Sequence, residues 1–222
     1  MSAGDGRGFA SVVLDVDSTL CGVEGIDWLA ALRGSEVGAK VTELTDRAMR
    51  GRIALDAVYG ERLALVQPTR DEVALLANVY IAALAPGAAR SIRRLRDAGR
   101  RVVLVSGGVR EAILPVAHRV GIAGEDVYAV AIRFSANGEY GGYDTTSPLA
   151  TAVGKRIVVE SLALPLRVLA VGDGATDLAI RPVVDAFAAF TGFVRRDSVV
   201  HDADLVVDSF GSRDAVMRAR CR

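Results

Sequence analysis

Asp15-Val16-Asp17-Ser18-Thr19 follows directly on the apolar run Val12-Val13-Leu14. Residues two apart around a strand end can be turned into one site by the loop that follows, so Asp15 and Asp17 are read as carboxylates sharing one space. Like charges so placed are costly unless a cation offsets them. Mg²⁺ suits such a place, because it takes a few carboxylates while keeping waters and binding phosphate oxygens. Asp173 and Asp177, in Gly172-Asp173-Gly174-Ala175-Thr176-Asp177, add carboxylates at the end of another apolar run. The glycines around them let the backbone approach an ion or a phosphate. Aspartates also cap helices and glycines also make turns. Two acidic motifs at two strand ends nevertheless favour a binding site over two coincidental caps. Ser106-Gly107-Gly108 closes a third apolar run and opens a helix, where free amides and the helix dipole attract an anion. Lys155 adds a fixed positive charge.

Nucleotide readings fail on the same residues. Gly154-Lys155 resembles the end of a P-loop, but Leu149 stands where its first glycine is needed and Arg156 where Ser or Thr is needed. Gly172-x-Gly174 lacks the third glycine of the dinucleotide fingerprint, since Asp177 occupies that place. His118 and His201 join no Cys or Ser motif and read as structural or solvated. Cys21 and Cys221 lie at opposite ends of the chain, which gives no support to a disulfide framework or a zinc knuckle.

The elements that must position these residues are short apolar runs, each stopped by a polar residue: Val12 to Leu14, Val102 to Val105 and Val168 to Val171. That is the pattern of buried parallel strands. Ala186 to Phe190 and Leu205 to Val207 read as two more, and helical segments lie between, one of them covering Ser91 to Ala98 and closed by Gly99. The expected fold is α/β, an open doubly wound parallel sheet with helices on both faces, in which ligands bind at the carboxyl ends of strands. Asp15, Ser106 and Asp173 all fall at such ends. Residues 21–85 break the alternation with helical periodicity throughout, and read as a helical cap on a core made of 1–20 and 86–222. Thr69-Arg70-Asp71-Glu72 has capping-box spacing, and Pro68 and Pro86 mark boundaries. Val127 to Asp144, with strand-like residues on both sides of Asn137-Gly138-Glu139, reads as a small hairpin beside the core. Pro115 should kink the helix Val109 to Arg119 or delay its start.

At 222 residues the chain can bury a large core, and its 27 basic residues match 27 acidic ones. That balance argues against nucleic acid as a partner. No apolar run is long enough for a membrane span or fits a signal peptide, so a cytoplasmic location is expected.

Asp15-x-Asp17-Ser18-Thr19, Ser106-Gly107-Gly108, Lys155 and Gly172-Asp173-Gly174-x-x-Asp177 resemble, in order and spacing, the four motifs of the haloacid dehalogenase superfamily. Within it, Glu24-Gly25-Ile26-Asp27, Arg47-Ala48-Met49, Glu61 to Pro68 and Asn137-Gly138-Glu139-Tyr140 resemble the phosphoserine phosphatases. The resemblance implies a Rossmann-like core and Mg²⁺-dependent hydrolysis of O-phosphoserine, a small phosphate ester, to serine and phosphate, the step that ends the phosphorylated route of serine synthesis.

It implies Asp15 as nucleophile, forming an aspartyl-phosphate, and Asp17 as the acid that protonates the departing alkoxide and then activates water. Mg²⁺ would be held by Asp15, the Asp17 backbone carbonyl and Asp173, with Asp177 steadying its outer shell. Ser106, the Gly107 amide and Lys155 would hold the phosphoryl oxygens. Glu24 would meet the substrate ammonium and Arg62 its carboxylate, with Met49 and Thr176 beside them. The chain departs from the family at Leu55, where a phenylalanine is usual, at Arg50, which interrupts a glycine pair, and at Val194-Arg195-Arg196-Asp197, which replaces a glycine-rich loop. Two rivals stay open: a phosphatase or phosphotransferase for another small phosphate ester, and a phospho-accepting signalling module.

Overall fold

Four-residue runs of Val and Leu persist as strands only where both faces are covered. In the computed structural model, which describes residues 8–53, 56 and 58–210, β1 (Ser11–Leu14) is buried along its whole length. It lies inside a six-stranded sheet with β2 (Arg101–Val109), β3 (Val127–Val130), β6 (Val168–Gly172), β7 (Ala186–Phe190) and β8 (Leu205–Val207), in the order β3-β2-β1-β6-β7-β8. Every pairing in it is parallel. The chain builds outward from β1 to one edge, then returns through β6 to the other, so the topological switch falls between β1 and β6, where such sheets bind ligands.

Register converts this topology into a site. Leu14 pairs with Leu104 on one side and with Val171 on the other. Asp15 and Asp173 therefore leave the sheet at nearly one level, with Ser106 of β2 beside them, although some 160 residues separate the first from the last. The doubly wound reading holds.

Between β1 and the sheet's next strand run α1 (Gly25–Ala31), α2 (Ser35–Met49), α3 (Tyr59–Val66), α4 (Arg70–Ala82) and α5 (Ala88–Asp97). The outgoing and returning chains lie side by side at their root: Gly22 N donates to Ala83 O at 2.9 Å, Ala85 N donates to Leu20 O at 2.9 Å, and Cys21 bridges Leu84 in antiparallel fashion. The capping box at α4 is formed. Glu72 N donates to Thr69 Oγ1 at 3.3 Å and Thr69 N to Glu72 Oε2 at 2.8 Å. The same carboxylate takes two bonds from the Arg33 guanidinium, at 2.5 and 2.6 Å, tying the end of α1 to the start of α4. These bonds, Arg33 first, lower the Glu72 pKa from 4.5 to about 2.

Two local expectations are corrected. Val127–Val130 is the edge strand β3 of the main sheet, and the separate hairpin consists only of β4 (Ile132–Phe134) and β5 (Tyr140–Tyr143). Both parts carry strand-like residues, and the pattern does not say which sheet each joins. β2 does not stop at Val105; it continues through Ser106-Gly107-Gly108 to Val109, with its register against β3 shifting between Val105 and Val109. The Pro115 helix, α6 (Arg110–Val120), starts without delay and carries the proline inside it. The helix closed by Gly99 is α5, and it begins three residues before Ser91. The remaining helices are α7 (Gly154–Ser161), α8 (Ala175–Leu178) and α9 (Asp197–Asp202).

The cap on α4 yields a stability prediction. Thr69→Ala removes one half of the capping box and should cost about 1 kcal/mol, lowering the melting temperature by roughly 2–4 °C. The Glu72 contribution is present above about pH 4.5 and lost as pH falls toward 2, because the unfolded chain binds that proton first. The difference between wild type and Glu72→Gln in acid melts should therefore shrink over that window.

Candidate active site

Immediately after β1 the chain turns sharply. Asp15 N still bonds the sheet, donating to Val171 O at 3.0 Å, but Ser18 adopts φ +53°, the left-handed region that few side chains enter without support. The turn sends Asp15 and Asp17 to different partners. Asp15, buried, takes a hydrogen bond from Lys155 Nζ at 2.5 Å, and the same ammonium donates to Asp177 Oδ1 at 2.6 Å. Lys155 is the second residue of α7, where Gly154 lets the helix pass so close to Pro148 that a Cβ there would sit 1.6 Å from the Pro148 carbonyl oxygen. Gly172 plays a similar part for Asp177, whose Cγ would lie 2.2 Å from an added Cβ.

Asp15, Asp173 and Asp177 bring one carboxylate oxygen each to within 4.8 Å of one another. All three are buried, a placement carboxylates tolerate only with cations at hand. Burial, then the Asp177 charge, raises the Asp15 pKa well above its ordinary value, against the pull of Lys155. Burial also lowers that of Lys155, but Asp15 and Asp177 overcome it and leave the ammonium firmly charged. Three hard oxygen donors around one buried point fit Mg²⁺.

The Asp17 carboxylate takes its hydrogen bonds from other groups. Its Oδ1 accepts from Gly25 N at 2.7 Å and from the Tyr80 hydroxyl at 2.5 Å, while Oδ2 lies 3.3 Å from Ser106 Oγ. Ser106 Oγ in turn accepts from Gly108 N at 2.9 Å, inside the irregular end of β2. Tyr59 pins the same loop from the helical side by donating to Gly107 O at 2.8 Å. Burial, then the Asp17 charge, holds the Tyr80 pKa well above the phenol range.

Asp15, Asp17, Lys155, Asp173, Thr176 and the Gly107-Gly108 backbone line one pocket with Glu24, Met49, Tyr59 and Arg62. Arg62, on α3, is only 4% exposed. Its NH1 donates to Thr45 Oγ1 at 3.0 Å, and Thr45 donates to Asp27 Oδ1 at 2.5 Å, so three helices fix the guanidinium. Arg62 also lies over the Tyr59 ring, 5.7 Å from its centroid, and its Nε is left without a protein partner. Glu24 accepts from Ser18 Oγ at 2.8 Å. Burial, then Asp17, raises its pKa to about 7.

The structure thus gathers Asp15, Asp17, Glu24, Met49, Arg62, Gly107, Lys155, Asp173 and Thr176 around one space, with Ser106 and Asp177 directly behind it. Arg50 lies apart, paired with Asp46 on the exposed side of α2. Leu55 and Cys221 lie outside the described residues. Sequence reasoning gave Arg196 no role; the structure buries it against Asp173 Oδ2 and 3.6 Å from Glu24 Oε1. It also gave none to Tyr80, Tyr59, Asp27 or Thr45. Only the helical period of Val73, Leu76, Ala77 and Tyr80 marked one of these as buried, and an apolar face does not tell a core phenol from one aimed at a carboxylate.

Residues 9–180 match the family model for haloacid dehalogenase-like hydrolases. A human phosphoserine phosphatase is 39% identical over 203 residues, covering 90% of this chain and 89% of the relative. The chain belongs to this hydrolase family, on its phosphoserine phosphatase branch. A chloroplastic phosphoserine phosphatase of Arabidopsis thaliana is 35% identical, over 93% of this chain and 71% of its own. Among solved structures, a phosphoserine phosphohydrolase-like protein from Francisella tularensis superposes with a TM-score of 0.81 at 24% identity, over 90% of this chain and 95% of that one, which shows the same fold. In the hydrolase, Arg196 is the countercharge of Asp173. Arg196→Met should cost about 3 kcal/mol by leaving that carboxylate buried and unpaired, a fall of roughly 6–12 °C in melts run with EDTA. Added Mg²⁺ should recover part of the fall.

Proposed function

We propose that this chain hydrolyses O-phosphoserine to serine and phosphate through a phosphorylated Asp15. The carrying observation is that Glu24 and Arg62, one anion and one cation matching the two charges of an amino acid, face the same cavity as Asp15 and Lys155. Arg62 is pre-set by Thr45 and Asp27, which suits a planar fork meant for a carboxylate. Residues 21–85 act as the cap that selects substrate, and 1–20 with 86–222 as the core that does the chemistry.

Asp15, Asp173 and the Asp17 carbonyl would hold Mg²⁺, with Asp177 behind them; when bound, the ion neutralises charge on the phosphoryl oxygens and lets an anionic nucleophile approach. Lys155 holds Asp15 in place and, with Ser106 and the Gly107 amide, receives the phosphoryl oxygens. The Asp15 carboxylate attacks phosphorus, the bond to the seryl oxygen breaks, and Asp17 delivers a proton to that oxygen. In the second half Asp17 takes a proton from water, which attacks the aspartyl-phosphate and frees Asp15.

A phosphate-release assay with phosphoserine, phosphothreonine, phosphoethanolamine and p-nitrophenyl phosphate, with an EDTA control, tests the assignment. Phosphoserine should lead, and Asp15→Asn should abolish turnover in a folded protein. Arg62→Ala should lower kcat/KM on phosphoserine roughly tenfold to a hundredfold and leave p-nitrophenyl phosphate almost unchanged. Lys155→Ala should damage both. A loss shared equally by both esters in Arg62→Ala would remove the phosphoserine reading. KM for phosphoserine should also rise as pH falls below about 7, the pKa of Glu24, since a neutral Glu24 no longer attracts the ammonium. Glu24→Gln should remove that pH dependence.

A further inference from the structure

Asp17 is the residue on which the chemical step turns, yet the bonds that orient it do not all come from its own part of the chain. Its Oδ1 takes two short bonds, from Gly25 N at 2.7 Å and from Tyr80 OH at 2.5 Å. Its Oδ2 has only the 3.3 Å contact with Ser106 Oγ, and sits so near Gly108 that an added Cβ there would lie 2.6 Å away. The oxygen without strong donors is therefore the one against the Ser106-Gly107-Gly108 loop, where the phosphoryl group is proposed to bind.

Tyr80 comes from α4, far from Asp17 in sequence, and is wholly buried. Two features bring its hydroxyl to Asp17. The helix is anchored at its start by the capping box and by Arg33. Gly25 leaves the space open: a Cβ at that position would lie 2.0 Å from the Tyr80 hydroxyl oxygen, so any larger residue would displace the phenol. A tyrosine serving only the core needs neither the glycine opposite it nor a carboxylate within hydrogen-bond reach.

We propose that Tyr80 is a positioning residue for the acid: its hydroxyl fixes the rotation of the Asp17 carboxylate so that Oδ2, and not Oδ1, faces the bond to be broken. This rests on the reading of Asp17 as the acid. When the P–O bond breaks, its electron pair passes to the seryl oxygen and the proton on Oδ2 follows. Without the phenol the carboxylate turns freely, and productive alignment becomes a fraction of its orientations. The need is greatest for an alkoxide leaving group and small for a nitrophenolate, which departs without a proton.

The test compares Tyr80→Phe, Asp17→Asn and the double variant, using phosphoserine turnover and the burst of nitrophenolate from p-nitrophenyl phosphate. Tyr80→Phe should lower kcat on phosphoserine roughly tenfold, with KM within twofold and the nitrophenolate burst within threefold. In the Asp17→Asn background, Tyr80→Phe should cause no further ester-selective loss, because both act through one group. Equal losses on the two esters, no loss on either, or fully additive selective losses would overturn the proposal. If Asp17→Asn is itself unselective, the acid role falls and the Tyr80 role falls with it. A selective Asp17→Asn beside an unselective Tyr80→Phe removes only the role of Tyr80. Should Tyr80→Phe melt far below wild type, Gly25→Ala, which pushes the phenol away while keeping it, should give the same selectivity and would overturn the proposal if it did not.

Discussion

A single ammonium group holds the centre of this molecule together. Lys155 bridges Asp15 and Asp177 in a space from which water is nearly excluded, and the cost of burying three charges is offset only because the cation stands between the anions. The demand propagates outward. Gly154 must lack a side chain so that α7 can carry Lys155 inward, and Gly172 must lack one so that Asp177 can turn back beneath β6. The sheet order sets β1 beside β6, so Asp15 after β1 and Asp177 after β6 can reach the same ammonium.

Around that centre, charge alternates. Arg196 faces Asp173, Asp173 takes a bond from Thr19 at 3.0 Å, and Glu24 lies within reach of both Arg196 and Ser18. Each of these carboxylates has a donor, and where an acid's pKa rises, as at Asp15 and Glu24, burial is the main cause. Glu24 is the clearest case: near neutral pH it stands between two protonation states, a position in which a positively charged ligand has the largest effect on it.

Much of this was legible in the chain itself. Apolar runs stopped by Asp15 and by Gly172-Asp173 gave strand ends, and strand ends in a doubly wound sheet gave a common crevice. Thr69 and Glu72 announced the start of a helix that is capped in that way. What stayed illegible shares one physical cause, that orientation is decided by packing and not by residue type. Val127–Val130 and the hairpin strands carry similar residues but join different sheets. Arg196 looks like any loop arginine until the fold buries it. Tyr80 follows the apolar period of its helix faithfully, and only the spatial position of Gly25 and Asp17 distinguishes its hydroxyl from any other buried phenol.

The paired root of the helical segment has a consequence for how such a protein diversifies. The helical segment begins after Leu20 and ends before Ala85, and the outgoing and returning stretches are bonded to each other at that root. Seen from the sheet, everything between is a loop whose ends already touch. Length and sequence can change beyond that clasp without altering strand register or the entropy of closing the core. The clasp thus lets the helical segment vary in length independently of the sheet, while Tyr59 and Tyr80 still tie that segment to Gly107 and Asp17.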